Sequence, residues 1–265
     1  MNSHDYKAIS ELAQDIAREA GQLALKYKAE GLTNVTTKSS EVDMVTEADK
    51  ACEELIVKRL TEARPQDGLK GEEGADKPTD SGITWHIDPI DGTTNYLYGM
   101  PFAVSMGAAI DDEPVVGVIY APFADEMFAA HLGGGATRNG EIIRVNDIER
   151  LELALIGTGL YYDADVRTKQ AEQLVGIVAN VRDLRRIGAA SLDLCAVACG
   201  QTDGYFELGV NSWDVAAGML IAAEAGATIS TPFKADWDKA TQMVVAAPGI
   251  AGVLEELVGE GPGLS

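Results

Sequence analysis

Two aspartates three positions apart, Asp88 and Asp91, are separated by Pro89 and Ile90 and followed by Gly92-Thr93-Thr94-Asn95. A short apolar run, residues 84–87, leads into them. Pro89 has no amide hydrogen and fixes its own φ, so a strand is expected to stop at Asp88. Gly92 then frees the backbone, and Thr93 and Thr94 suit the opening of a helix. Two carboxylates at a strand end, with free amide N–H groups just beyond, can hold a divalent cation with a phosphate beside it. An Asp-Pro turn running into a capped helix accounts for the same residues without any chemistry. Asp-x-x-Asp is also a cheap pattern in a chain with 42 acidic residues.

Other acidic positions have the same double reading. Thr46-x-x-Asp49 reads as a capping box, with Asp49 at the third helical position. Gly71-Glu72-Glu73-Gly74, flanked by glycines, could be merely a solvated acidic turn. Asp214 follows Ser212-Trp213 at a helix start, where Ser212 would cap and Asp214 would meet the helix dipole. The three histidines, His4, His86 and His131, stand apart in sequence. No Gly-x-Ser-x-Gly elbow and no His-x-x-x-His zinc pattern is present. Gly133-Gly134-Gly135 lacks the Lys-Ser/Thr of a phosphate loop and reads as hairpin geometry. A pair of carboxylates could also serve glycoside hydrolysis, and the residues alone leave that open.

The elements that must position these groups follow from periodicity. Residues 5–29 form a helix, with Ile9, Leu12, Ile16 and Leu23 near helical spacing and Gly31 as its stop. Residues 36–43 form a polar loop, and a second helix runs over 47–63. Residues 75–82 form another polar loop before the strand at 84–87. Residues 103–110 and 114–120 form a hairpin joined by Asp111-Asp112-Glu113, and 126–131 adds a strand. The later chain alternates. Strands are expected at 153–157, 183–187, 204–208, 227–230 and 243–247. Helices are expected at 165–180, 189–199 and 212–225 and after Pro248. The spacing therefore predicts an α/β class, an α+β half over 1–148 and an α/β half over 149–265, joined without linker-like composition and enclosing a cleft.

Composition sets outer bounds. The 265 residues are 46% hydrophobic and 24% charged, enough for a sizeable core and unlike a disordered chain. A formal net charge of −21 repels nucleic acid and anionic membranes. It would equally repel an anionic substrate unless metal ions sit at the site. Cys52, Cys195 and Cys199 do not make a disulfide framework. Cys195 and Cys199, one helical turn apart, read as small buried groups. No run of about 18 apolar residues and no basic-then-apolar leader is present, so a soluble cytoplasmic protein is expected.

Asp88-Pro89-Ile90-Asp91-Gly92-Thr93-Thr94-Asn95 resembles the signature of the inositol monophosphatase family. Trp213-Asp214-Val215-Ala216-Ala217-Gly218 resembles a second family signature, and Gly71-Glu72-Glu73 a third. Together they are a specific pattern spanning roughly residues 5 to 250. The resemblance implies a layered αβαβα sandwich of the inositol monophosphatase/fructose-1,6-bisphosphatase type. It implies a homodimer and a lithium-sensitive phosphatase using two or three Mg²⁺ ions on a small phosphate ester. Glu72, Asp88, Asp91, Asp214 and the Ile90 carbonyl would then be metal ligands. Asp49 and Thr93 would activate water, with Glu72 holding the ion that acidifies it. Lys38 would lie in the family's mobile loop. Gly92 and Thr93 would bind the phosphate, while Asp91, Gly188, Ala189, Ala190 and Glu207 would line the substrate pocket. Arg185-Arg186 resembles bacterial members, with Arg186 open between a substrate role and a subunit interface. Thr94-Asn95 resembles the inositol phosphatases and differs from the Lys-Glu pair usual in nucleotide bisphosphatases. Inositol 1-phosphate is the expected substrate, with fructose-1,6-bisphosphatase, histidinol phosphatase or another sugar phosphatase as alternatives. A regulatory binding protein that keeps the fold is the alternative from another class.

Overall fold

The computed structural model describes residues 5–31, 35–37, 44–231 and 242–259; Lys38 lies outside them. In chain order the first elements are α1 (Tyr6–Glu30), β1 (Val35–Thr37), β2 (Met44–Thr46), α2 (Glu47–Ala63), β3 (Gly68–Gly71) and β4 (Asp76–Lys77). Then come β5 (Ile83–Asp91), α3 (Thr93–Tyr98), β6 (Ala103–Ile110), β7 (Glu113–Ala121), β8 (Glu126–His131), β9 (Ala136–Arg138) and β10 (Glu141–Ile142). A 3₁₀ turn at Leu151–Leu153 precedes β11 (Leu155–Thr158), α4 (Ala164–Val178), β12 (Asp183–Arg185), α5 (Ala190–Ala198) and β13 (Gly204–Leu208). The described chain ends with α6 (Ser212–Glu224), β14 (Thr228–Ile229), β15 (Gln242–Ala246) and α7 (Pro248–Val258).

These elements form five layers. An eight-stranded sheet has the order β10-β9-β8-β7-β6-β5-β3-β4, antiparallel except where β3 runs parallel to β5. A five-stranded sheet has the order β12-β11-β13-β15-β14 and mixes parallel and antiparallel pairs. Helices α1 and α2 cover one face of the large sheet, α5 and α6 lie between the sheets, and α4 and α7 cover the far face of the small one. Three apolar cores fill the four interfaces, the middle one spanning both faces of the α5/α6 layer. The expected αβαβα layering is what the chain adopts.

The local chemistry explains the elements. Helix α1 buries Ile9, Ala13, Ile16, Ala17, Ala20 and Ala24 on one stripe, is capped by Asp5, and ends at Gly31 in the left-handed region (φ 69°). Strand β6 is covered on both faces, so it is an unbroken small and apolar run with no alternation. Gly107 in β6 and Gly117 in β7 are close-approach positions. A Cβ at Gly107 would stand 2.6 Å from the Ala216 Cβ, and one at Gly117 would stand 2.4 Å from the Ala217 carbonyl oxygen. Their bare backbones let α6 lie directly on the large sheet.

Several expectations need correction. Strand β5 does not stop at Asp88 but runs through Pro89 to Asp91. The register with β6 shifts between Asp88 and Asp91, and β3 is paired only as far as Ile87, so the missing Pro89 N–H falls in a bulge. The polar loop at 75–82 contains β4, paired to β3. The strand expected at 153–157 starts at Leu155, after the 3₁₀ turn. The 133–135 turn is the expected hairpin geometry, joining β8 to β9, with the Gly133 and Gly135 amides donating to Glu224 and that of Gly134 to the His131 carbonyl. Residues 143–150, around the expected boundary, form neither helix nor strand.

Candidate active site

One cleft collects nearly every proposed site residue. Glu72, Asp88, Ile90, Asp91, Gly92, Thr93, Gly188, Ala189, Ala190, Glu207 and Asp214 all line it. Asp49 lies one step behind, touching the cleft through Thr93. Each group arrives by a different local device.

The β5 bulge delivers Asp88 and Asp91. The Ile90 amide donates to Asp88 Oδ1 at 3.0 Å, so the bulge fixes its own carboxylate. Gly92 adopts φ 90°, a left-handed conformation a side chain would disfavour, and turns the chain into α3. Thr93 at the head of α3 donates its hydroxyl to Asp49 Oδ1 at 3.1 Å and to the Ile90 carbonyl at 3.3 Å.

Asp49 is the third residue of α2 and forms the predicted capping box. Its Oδ2 accepts the Thr46 amide at 2.9 Å and the Thr46 hydroxyl. The helix cap and the contact with Thr93 coexist, because they use different carboxylate oxygens. Glu72 is tied to the same frame, since its amide donates to the Ile87 carbonyl at 3.0 Å. Glu53, buried on α2, accepts the amides of Glu73 at 2.8 Å and Ala75 at 2.9 Å. It anchors the turn that carries Glu72, and no motif in the sequence points to it. Glu73 does not line the cleft.

The later chain closes the site. Asp214 Oδ2 accepts the Asn211 amide at 2.6 Å at the head of α6. The N-cap is therefore Asn211, where the sequence suggests Ser212. Ser212 instead pairs its hydroxyl with His86 Nδ1 at 3.0 Å, where burial and then Lys70 push the imidazole down to about 4. Glu207, on β13, accepts the Tyr205 hydroxyl at 2.5 Å. Asn95 donates to the carbonyls of Pro101 at 2.8 Å and Ile187 at 2.9 Å, which ties α3 to the Gly188 segment. Arg186 and Tyr161 also line the cleft. Arg186 stands out in the sequence; Tyr161 does not, because no spacing marks an aromatic in a loop.

The electrostatics are those of a crowded acidic site. Burial, then Glu72, Asp91 and Asp214, hold the Asp88 carboxyl well above its usual range. Burial and then Glu72 and Asp91 do the same to Asp214. Burial raises Asp91 to about 6 against hydrogen bonds from Ser191, and Asp49 to about 6 against those from Thr46. Glu207 rises to about 7 by burial. Asp193, on α5 and absent from the sequence reading, is raised to about 9 by burial, Glu207 and Asp91, against Arg186. Hard oxygen donors crowded this way suit a hard divalent cation. Among the described residues, no group of three or more His, Cys, Asp or Glu is already spaced to enclose one. The cleft thus gathers hard oxygen donors from Glu72, Asp88, Asp91 and Asp214.

Solved structures share this architecture. Extragenic suppressor protein SuhB from Bartonella henselae superposes with a TM-score of 0.89 at 33% identity, covering 96% of this chain and 100% of that one. The inositol monophosphatase from Anabaena (Nostoc) sp. PCC 7120 gives a TM-score of 0.84 at 35% identity, covering 98% and 99%. The fold and the relatives that share it are those of a phosphoric monoester hydrolase. The inositol-1-monophosphatase SuhB of Mycobacterium tuberculosis is 42% identical over 260 residues, 91% of this chain and 89% of the relative. The sequence model of the inositol monophosphatase family matches residues 5–260, and the chain belongs to that family.

Proposed function

We propose that this protein is a Mg²⁺-dependent phosphatase acting on inositol 1-phosphate or a similar small polyol phosphate. The observation that carries the reading is the meeting of Glu72, Asp88, Asp91 and Asp214 in one cleft with Glu207 and the head of α3. The names of the similar proteins support the inositol phosphate. Glu72, Asp88, Asp91, Asp214 and the Ile90 carbonyl would hold two or three Mg²⁺ ions. Bound there, Mg²⁺ supplies charge neutralisation of the phosphoryl oxygens and a water acidic enough to attack near neutral pH.

The chain's own residues do the rest. Thr93 and Asp49 orient the attacking water, and Asp49 accepts its proton, consistent with a carboxyl raised to about 6. The Gly92 and Thr93 amides receive the phosphate. Glu207, held by Tyr205, accepts hydrogen bonds from the alcohol's hydroxyls. The backbone of Gly188, Ala189 and Ala190 shapes the same pocket. Attack is direct and in line, with no covalent intermediate.

No helix of the described residues is long and apolar enough to cross a membrane. The reading extends to a cytoplasmic homodimer that is sensitive to lithium. It is tested by phosphate release from inositol 1-phosphate with and without Mg²⁺. Turnover that requires Mg²⁺ is expected. A clear preference for fructose 1,6-bisphosphate on a substrate panel would overturn the inositol assignment.

A further inference from the structure

Helix α5 begins without a side-chain cap of its own, because Ala189 stands at its N-cap position and has none to offer. The role is filled from a hundred residues upstream. Asp91 Oδ2 accepts the Ser191 amide at 2.7 Å, and the Ser191 hydroxyl donates to the same oxygen. Ser191 has no exposed surface.

The amide alone would cap the helix. Serine brings no helix propensity to the second position of α5, where alanine would do better. What the hydroxyl adds therefore falls on Asp91. Two donors from one residue fix the rotation of that carboxylate as well as its place. Ser191 holds Oδ2, the Ala190 backbone also donates to the carboxylate, and Asp91 still lines the cleft where a ligand would meet it.

We propose that Ser191 is a positioning residue for metal binding, whose hydroxyl fixes the orientation of the Asp91 carboxylate in the cleft. The proposal rests on the reading of Asp91 as a metal ligand. It makes the metal site depend on a side chain that is not itself a proposed ligand and that comes from α5, in the layer between the sheets. Groups that orient a ligand in this way commonly change metal affinity by about 10–100-fold when removed. The lower end is expected here, because the amide bond to Asp91 survives the loss of the hydroxyl.

The test compares the full-length wild type with Ser191→Ala and Asp91→Asn, using Mg²⁺ alone as the probe. Calorimetric titration without substrate reads the affinity, and melting of the metal-free protein reads the fold. In Ser191→Ala the Kd for Mg²⁺ should rise about tenfold. Its turnover should recover to within about twofold of wild type at saturating Mg²⁺. If Asp91→Asn loses Mg²⁺ binding while Ser191→Ala keeps the wild-type Kd, the positioning role is wrong and the ligand reading stands. A lowered melting temperature in Ser191→Ala with an unmoved Kd would likewise reduce Ser191 to a structural group. Wild-type Mg²⁺ binding by Asp91→Asn would overturn the ligand reading itself.

Discussion

The two sides of the cleft are built on opposite principles. On the side of the large sheet, the groups come from consecutive chain or from immediate neighbours. Asp88, Ile90, Asp91, Gly92 and Thr93 fall within six positions; Asp49 joins them through Thr93, and Glu72 through Ile87 and Asp88. On the side of the small sheet, Gly188, Glu207 and Asp214 come from three separate stretches of chain and meet only through the layering. On the proposed reading the first side is the reaction centre, one bulge and its supports. The second is the recognition surface, assembled from separate elements. Asp214 crosses that division, since it sits on a late helix yet its carboxyl is raised by the charges of Glu72 and Asp91 as well as by burial.

Asp214→Asn tests this division most severely. If Asp214 belongs with the reaction centre, the variant should fold and lose on the order of 10³-fold in kcat, the worth of several kcal/mol of charge stabilisation. Circular dichroism with a phosphate-release assay checks it, and near-normal turnover would return Asp214 to a helix-capping role. A paired measurement then separates the two sides. Thr93→Val should lower kcat by about 10²-fold on every monoester, because it disturbs the attacking water. Glu207→Gln should lower kcat/KM by about tenfold on inositol 1-phosphate and leave p-nitrophenyl phosphate, which has no hydroxyls to recognise, unchanged. Equal losses on both substrates would erase the distinction.

The mildest effect concerns stability. Asp193 is raised from 3.8 to about 9 in the fold, so the native protein keeps a proton that the unfolded chain releases. Stability from this group is full below about pH 4 and drains away as pH rises toward 9. An asparagine side chain has no such proton to lose. Asp193→Asn should therefore flatten that decline and melt about 2–4 °C higher than wild type at pH 8. Melting curves of the metal-free protein from pH 5 to 9 decide it, and parallel curves would place the proton elsewhere.

Much of the first side is legible without coordinates. The capping box at Thr46 and Asp49 has fixed spacing, and it forms. Helices α1, α2 and α6 fall within a residue or two of their apolar periodicity. The break expected at Pro89 does not occur, because a strand can keep its course through a proline when a bulge removes the ladder bond it would have needed. Ser212 looks like a cap because two adjacent residues, Asn211 and Ser212, both suit the position; His86 claims the serine and leaves the cap to the asparagine.

Sequence alone marks most of the elements and the residue types that could do chemistry. Acidic residues at turns and helix starts, a Pro-Ile pair between aspartates, and a glycine before two threonines are local signals that survive without tertiary context. Which of these groups meet is a matter of packing. Glu53 under the Glu72 turn, Asn95 against Ile187, Tyr205 on Glu207 and Ser191 on Asp91 are ordinary residues with no motif that announces those contacts. Their roles arise from α2 meeting the turn after β3, α3 meeting the Gly188 segment, β5 meeting the start of α5, and, for Tyr205 and Glu207, from same-face spacing along β13. Burial then converts that proximity into strong mutual influence, because desolvation raises the cost of every unpaired charge.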